Sequence, residues 1–236
     1  MAGDASVTDQ AVRPVLPLLP ERARRTAGLI VVCCVVIFVT GAILAAGRSQ
    51  AGQLDRGIDQ WVIRHLHTHL NGAQQIVDLG NPTPIIVLTV IVILGSLAAR
   101  RVNGAVLAIA AVLVANALTE LVLKPIVHET IGHPGVLSYP SGHTTSVFTM
   151  VVIVAVLLVD PPHTRLPGWL RVLLVILAVG ASAAVAVSLI AIQYHYFTDT
   201  IGGACVATAT VLGITLLLDA PRARAWMGRW SFRSGG

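Results

Sequence analysis

Polar side chains of types that bind an anion or act as a nucleophile or acid occur at three places in an otherwise apolar chain. Each place lies where an apolar segment of about 20 residues begins or ends. Lysine supplies a charge for an anion, Ser-Gly before a helix supplies free backbone N–H groups, and a histidine with an aspartate supplies a nucleophile or acid. We therefore expect chemistry on a charged headgroup. The residues are Lys124, Pro140, Ser141, Gly142, His143, His195 and Asp199.

His195 and Asp199 are separated by three residues, so their side chains share a face if the segment is helical. A carboxylate bound to one imidazole nitrogen fixes the tautomer and leaves the other nitrogen free to attack. Ser188 lies on the same stripe if the helix continues back to it. The alternative is a structural one, an interfacial histidine satisfied by a nearby acid.

The run from Pro140 to His143 stands directly before an apolar segment. Gly142 lets the backbone approach a ligand closely, and the N–H groups at a helix start bind anions. His143 is then placed to protonate a leaving group. Alternatively, Ser141 is only a helix N-cap after a proline turn, which leaves the Gly-His that follows unexplained.

Lys124 is the single lysine of the chain and is followed by Pro125. Lysine binds phosphate as a point charge. Two structural alternatives remain open: the side chain extends to the membrane interface, or it pairs with Glu120 one helical turn earlier.

The composition indicates an all-α protein in a membrane. Of its 236 residues 55% are hydrophobic and 11% are charged, against about 25% charged in soluble domains. The three cysteines lie in apolar segments and have no metal-ligand or disulfide spacing. We predict a polytopic bundle of six transmembrane helices. The predicted spans are about 27–46, 84–99, 105–123, 144–159, 170–192 and 201–218.

Charge asymmetry predicts the orientation in the cell membrane. With a cytoplasmic N-terminus, twelve of the 16 lysine and arginine residues lie inside, as the positive-inside rule requires. Both termini are then cytoplasmic, and the loops that carry the polar groups face outward. The net charge is +5, but the arginines flank the spans and do not form a patch. This argues against a nucleic-acid partner.

The domain organisation follows from the spans. We predict a disordered cytoplasmic tail over 1–26, a membrane domain over 27–218 and a basic cytoplasmic tail over 219–236. The first span exceeds the roughly 7–15 residues of a signal-peptide core, so we expect an uncleaved anchor. Between the first two spans, 55–71 predicts an amphipathic helix in the outer interface. We favour this helix over a metal site for its three histidines, His65, His67 and His69.

Together the motifs resemble those of the type-2 phosphatidic acid phosphatase (PAP2) superfamily of membrane lipid phosphatases, over about residues 50–218. The superfamily pattern is Lys-x6-Arg-Pro, Pro-Ser-Gly-His and Ser-Arg-x5-His-x3-Asp. The second part is complete, the third keeps its spacing from Ser188 to Asp199, and the first begins at Lys124.

The resemblance implies a PAP2-like helical bundle and a role for each matching residue. His195 is the nucleophile that forms a phosphohistidine, Asp199 orients it and His143 is the general acid. No metal and no cofactor are implied. The phosphate-binding residues implied are Lys124, Ser141, Gly142 and Ser188.

Two arginines of the pattern are missing. Leu189 stands in the third motif, and Ile131 stands in the first, where related sequences also place an arginine near Glu129. Each charge-assisted bond to an anion contributes about 1.5–3 kcal/mol, so their loss weakens phosphate binding unless another group replaces them. His128 and His133 are the nearby candidates.

The sequence favours a lipid phosphatase that acts at the outer face on a lipid phosphate or an isoprenoid carrier diphosphate. Its partners are then the lipid substrate and the bilayer. Two alternatives remain: a non-catalytic relative that binds or moves a lipid headgroup, favoured by the missing arginines, and a phosphotransferase that uses the same phosphohistidine.

Overall fold

The computed structural model describes residues 16–131, 136–159, 166–221 and 223–224, and these form helices joined by short connections. Thr130 and Leu137 form an isolated antiparallel bridge. A 3-10 turn over Asp78–Gly80 extends α3, and a π-helical stretch over Leu118–Leu123 joins α5 to α6. The helices are α1 (Glu21–Ala45), α2 (Gln53–Leu66), α3 (Leu70–Val77), α4 (Pro82–Ala98), α5 (Val102–Ala117), α6 (Lys124–Val127), α7 (Gly142–Val159), α8 (Gly168–Ala191) and α9 (Phe197–Leu218).

A helix lies at each of the six predicted spans. In the described part of the chain, four helical segments are long and apolar enough to cross a membrane: α1, Val102–Val127, α8 and α9. The segment Leu70–Gly80 and α4, bent by 49° to each other, make a fifth if they count as one span. Helix α7 is apolar but shorter. The prediction of a multi-pass helical membrane protein is thus confirmed, while the count of six stays a prediction.

The bundle is built around α9, which packs against α1, α5 and α7. Alanines on α5, among them Ala108 and Ala111, are fully buried against Ile153 and Val211. Small residues let helix backbones approach closely, which drives helix association in lipid. Large apolar side chains of α1, α4 and α8 remain exposed, as expected of surfaces that face lipid.

Helical structure is present before the predicted tail boundary at residue 26. Helix α1 starts at Glu21, and the backbone N–H groups of Leu18 and Leu19 donate to the two carboxylate oxygens of Asp219 at 2.7 and 2.8 Å. Both leucines are buried. Residues 16–26 and the first residue of the predicted C-terminal tail are therefore part of the bundle. Residues 1–15 and 225–236 lie outside the described residues.

Helix α2 forms where an amphipathic helix is predicted, but its acidic side chains face the protein. Asp55 and Asp59 are buried, whereas Leu54 and Trp61 are more than half exposed. The two carboxylates accept the N–H groups of Thr198 at 2.9 Å and of Phe197 at 3.1 Å. They cap the first turn of α9, whose free N–H groups need acceptors.

Candidate active site

His195 lies in the tight connection between α8 and α9, beside Asp199 in the first turn of α9. Its Nδ1 is 3.1 Å from Oδ2 of Asp199, and the same oxygen accepts the N–H of Tyr196 at 3.0 Å. Because a carboxylate oxygen only accepts, Nδ1 carries the hydrogen and Nε2 keeps its lone pair. The spacing of three intervening residues thus gives the orienting pair that the sequence predicts.

The surroundings of His195 keep its ring neutral. Burial, followed by the positive charge of Lys124, lowers the pKa of His195 to about 3, and the charge of Glu120 acts in the opposite direction. The contact with Asp199 at neutral pH is therefore a hydrogen bond to a neutral imidazole. A neutral imidazole with a free Nε2 is the form required of a nucleophile.

Ser141 connects the start of α7 to the first turn of α9. Its N–H donates to the main-chain oxygen of Asp199 at 3.0 Å, and its Oγ accepts the N–H of Thr144 at 3.3 Å. Ser141 is thus an N-cap, as the structural alternative proposed. A cap uses only a lone pair, so the hydroxyl hydrogen can still be donated to another acceptor.

A carboxylate lies over Gly142 at the N-terminus of α7. Nζ of Lys124 is 2.8 and 2.9 Å from the two carboxylate oxygens of Glu120. A Cβ placed on Gly142 would collide with Oε1 of Glu120 and would lie 3.5 Å from Nζ of Lys124. The predicted Glu120–Lys124 pair is present, and it holds an anion between the lysine and the helix start. A side chain at position 142 would fill this space.

His143 is oriented by Asn81, which directly precedes α4. Oδ1 of Asn81 is 3.0 Å from Nε2 of His143, and Nδ2 of Asn81 donates to Asp78 at 3.2 Å. Since the amide nitrogen faces a carboxylate, the amide oxygen faces the histidine and accepts its Nε2–H. Nδ1 of His143 is left for proton transfer. Lys124 and His195 both act electrostatically on His143, so the three side chains lie near one another.

Residues 104–222 match the family model of the PAP2 superfamily. The chain belongs to this superfamily. It is also similar in fold to the crystal structure of the first transmembrane PAP2 type phosphatidylglycerolphosphate phosphatase from Bacillus subtilis. The two share 18% identity with a TM-score of 0.63 over 78% of this chain and 93% of the other. A comparison with curated proteins gave no match. Membership in the PAP2 superfamily supports a membrane lipid phosphatase in general terms.

The two missing PAP2 arginines are replaced in different ways. Leu189 is fully buried and packs with Val77 and Val185, so this position belongs to the apolar core. Ser188 beside it is also buried, and no hydrogen bond from its hydroxyl to the site occurs among the described residues. Glu129 is buried as well, next to Asp199.

The structure describes one of the two predicted substitutes for these arginines. His128 ends α6 in the left-handed conformation with φ of 54°, and its side chain is exposed. Contacts between its ring and the other site residues are not found in the described segments. His133 lies outside the described residues.

Asn81 and Glu129 are the site residues that sequence reasoning missed. Asn81 precedes Pro82, a common pattern at a helix start, so its local signal is that of a cap. Glu129 lies two residues before the motif arginine position at Ile131 and has the opposite charge to an arginine, so charge alone gave no reason to assign it to a phosphate site.

Proposed function

We propose that the protein is a lipid phosphatase whose site faces outward, and that it hydrolyses a lipid phosphate or an isoprenoid diphosphate through a phosphohistidine on His195. The observation that carries this proposal is the ion pair of Lys124 with Glu120 at the N-terminus of α7, where His143 follows and which is within electrostatic range of His195. An anion is already bound there by the lysine at a helix N-terminus, as a phosphate would be.

In the first half of the reaction, Nε2 of His195 attacks phosphorus. A P–N bond forms as the bond from phosphorus to the lipid oxygen breaks. His143 enters the cycle as the imidazolium, and the departing oxygen takes the proton from its Nδ1 while its Nε2–H stays on Asn81. Asp199 stabilises the positive charge that develops on His195.

In the second half, water attacks phosphorus and the P–N bond breaks. The neutral His143 takes a proton from the water, so it regains the acid form needed for the next cycle. His195 leaves as a neutral imidazole again. Lys124, the Ser141 hydroxyl and the free N–H groups at the start of α7 hold the phosphate oxygens throughout.

The bundle and its charges support a lipid substrate and an outward-facing site. The site lies at the ends of helices whose apolar side chains are exposed, so a substrate can reach it from the bilayer. The positive-inside rule places this end outside. The structurally similar B. subtilis protein is a phosphatidylglycerolphosphate phosphatase, and its substrate therefore belongs in the test.

The test is phosphate release by the purified protein in detergent with a chelator present. The panel contains phosphatidate, phosphatidylglycerol phosphate and an isoprenoid diphosphate. We expect at least one to be hydrolysed, and His195→Ala to abolish the activity. His67→Ala is the matched control, because this exposed histidine bonds the main-chain oxygen of Arg64 on its own helix. Equal activity in His195→Ala and the unchanged protein would refute the mechanism.

A second candidate is a non-catalytic protein that binds or moves a lipid headgroup. The core position of Leu189 and the buried acid at 129 favour it, because both remove a cation from the phosphate site. A strain that lacks the protein would then be restored by His195→Ala. Failure of that rescue would count against this candidate.

A further inference from the structure

Glu129 is a buried acid that the proposed mechanism does not use. It lies two residues beyond the end of α6 and is 2% exposed. Its main-chain oxygen accepts the N–H of Ser138 at 2.9 Å, and the Ser138 hydroxyl donates to Oε2 at 3.2 Å. The Thr130–Leu137 bridge follows directly. The Glu129 side chain is thus fixed by the segment that leads into the Pro140 turn.

The carboxyls of Glu129 and Asp199 lie close enough to interact electrostatically. Oδ2 of Asp199 is occupied by His195 and by the Tyr196 N–H. Oδ1 is buried and has no donor unless Glu129 carries a hydrogen. The Ser138 hydroxyl is close to both carboxyls, but its one hydrogen points to Glu129. A proton on Glu129 therefore satisfies the last acceptor of Asp199.

Electrostatics favour this proton. Two carboxyls in contact in a buried site cannot both be charged without a large penalty. Burial, followed by the negative charge of Asp199, raises the pKa of Glu129 to about 9. None of the ion pairs of the described residues includes Glu129. The other titratable groups around the two carboxyls are Asp55 and Asp59 on α2, Tyr139 and Tyr196 on the connecting segments, and His195.

We infer that Glu129 is a positioning residue. Its protonated carboxyl donates a hydrogen bond to Oδ1 of Asp199 and so holds the other oxygen of Asp199 on Nδ1 of His195. The inference rests on the proposed function insofar as His195 is the nucleophile. Two residues before the first-motif arginine position, which is Ile131 here, this chain has an acid that supports the aspartate behind the nucleophile.

The first experiment is independent of any substrate. An infrared difference spectrum between the unchanged protein and Glu129→Gln at pH 7 should show the C=O band of a protonated carboxylic acid. The band should fade as the pH rises through about 9. Asp199→Asn removes the neighbouring charge, so the band should then fade at lower pH. Glu120→Gln, which changes an exposed carboxylate, should leave the band in place.

Absence of the band at pH 7 overturns the inference. The inference is also overturned if the pH at which the band has half faded is the same in Asp199→Asn as in the unchanged protein. If the unchanged protein hydrolyses no phosphate ester of the panel, the proposed function fails. The infrared result still decides whether Glu129 is protonated and donates to Asp199.

The second experiment measures kinetics on a substrate that the unchanged protein hydrolyses. In the unchanged protein, activity should decline as Glu129 loses its proton near pH 9. Glutamine keeps an N–H donor at every pH, so Glu129→Gln should keep kcat within about threefold and should not show this decline. Glu129→Leu removes the donor and should lower kcat about tenfold with KM within about twofold. An alkaline decline that persists in Glu129→Gln, or equal kcat losses in both variants, overturns the inference. Glutamine has the same shape as glutamic acid, so we expect Glu129→Gln to fold. If Glu129→Leu fails to fold, the pH profile of Glu129→Gln alone decides.

Discussion

The carboxylate of Glu120 binds Nζ of Lys124 at 2.8 and 2.9 Å and covers Gly142 at the start of α7. A phosphate needs the same lysine and the same N–H groups, so the protein's own anion occupies the place of the proposed substrate. The Glu120 side chain is 46% exposed and can turn toward water. It lies in the π-helical stretch Leu118–Leu123, a distortion often found at functional sites.

We expect Glu120→Gln to bind inorganic phosphate more tightly. The neutral amide competes less for Lys124. A partly exposed ion pair contributes up to about 1 kcal/mol, which corresponds to about fivefold in the inhibition constant. The inhibition constant is measured from the competitive inhibition of phosphatase activity by phosphate.

Two control variants should weaken phosphate binding at the same place. Lys124→Gln removes the cation, and Gly142→Ala puts a methyl group where the anion rests, so both should raise the inhibition constant. Weaker phosphate binding in Glu120→Gln would contradict the competition and show that Glu120 serves to position Lys124.

His143→Gln should lose activity according to the leaving group. A lipid alcohol needs a proton as it departs, whereas a nitrophenolate does not. We expect kcat to fall about 100-fold or more on the lipid phosphate and about tenfold or less on a nitrophenyl phosphate ester. Parallel assays on the two substrates measure this difference.

Asn81→Ala provides a graded comparison for His143→Gln. It leaves the imidazole in place but removes its partner at 3.0 Å, so a smaller loss with the same dependence on leaving group is expected. Losses of equal size on both substrates would show that His143 does not donate the proton.

Local patterns and tertiary contacts explain which features could be predicted. Lys124, His143 and His195 lie at the ends of apolar segments, and hydropathy alone places those ends at one face. Asp55 looks like part of a solvent-facing helix surface, and only the docking of α2 on α9 makes it a cap. The boundary of α1 depends on contacts with Asp219, 201 residues from Leu18 in sequence. The interaction of Glu129 with Asp199 also depends on tertiary contacts, so it could not be predicted from the sequence.

Asp59→Asn should change the dependence of stability on pH. Burial, followed by the charge of Asp55, raises the pKa of Asp59 from 3.8 to about 7. The folded protein therefore holds a proton that the unfolded chain releases, and its stabilising effect is present at low pH and lost as the pH rises toward 7. Asparagine still accepts the Phe197 N–H and does not titrate. The variant should gain thermal stability relative to the unchanged protein between pH 5 and pH 8.

The melting temperatures of both proteins across this range provide the measurement. Glu129 and His195 titrate in both proteins, so the difference between the two curves isolates Asp59. A difference that stays constant with pH would contradict the buried, protonated carboxyl.

Tyr139 is clamped between α1 and α9 immediately before the Pro140 turn. Its hydroxyl donates to the main-chain oxygen of Phe38 at 2.9 Å, and its ring stacks on the Phe38 ring. A Cβ on Gly202 of α9 would lie 2.6 Å from Cζ of Tyr139. The absence of a side chain at Gly202 thus makes room for the residue that leads into the phosphate-binding segment.

Gly202→Ala should therefore destabilise the protein by about 1–3 kcal/mol through overpacking and also lower kcat, because a displaced Tyr139 shifts Ser141 and His143. Gly213→Ala is the matched control on the same helix, since nothing lies within 4 Å of its added Cβ. There the higher helix propensity of alanine should add up to about 1 kcal/mol. Unfolding in detergent and phosphate release measure the two effects. Equal behaviour of the two variants would show that the ring is free to move, and that its clamp does not position the site.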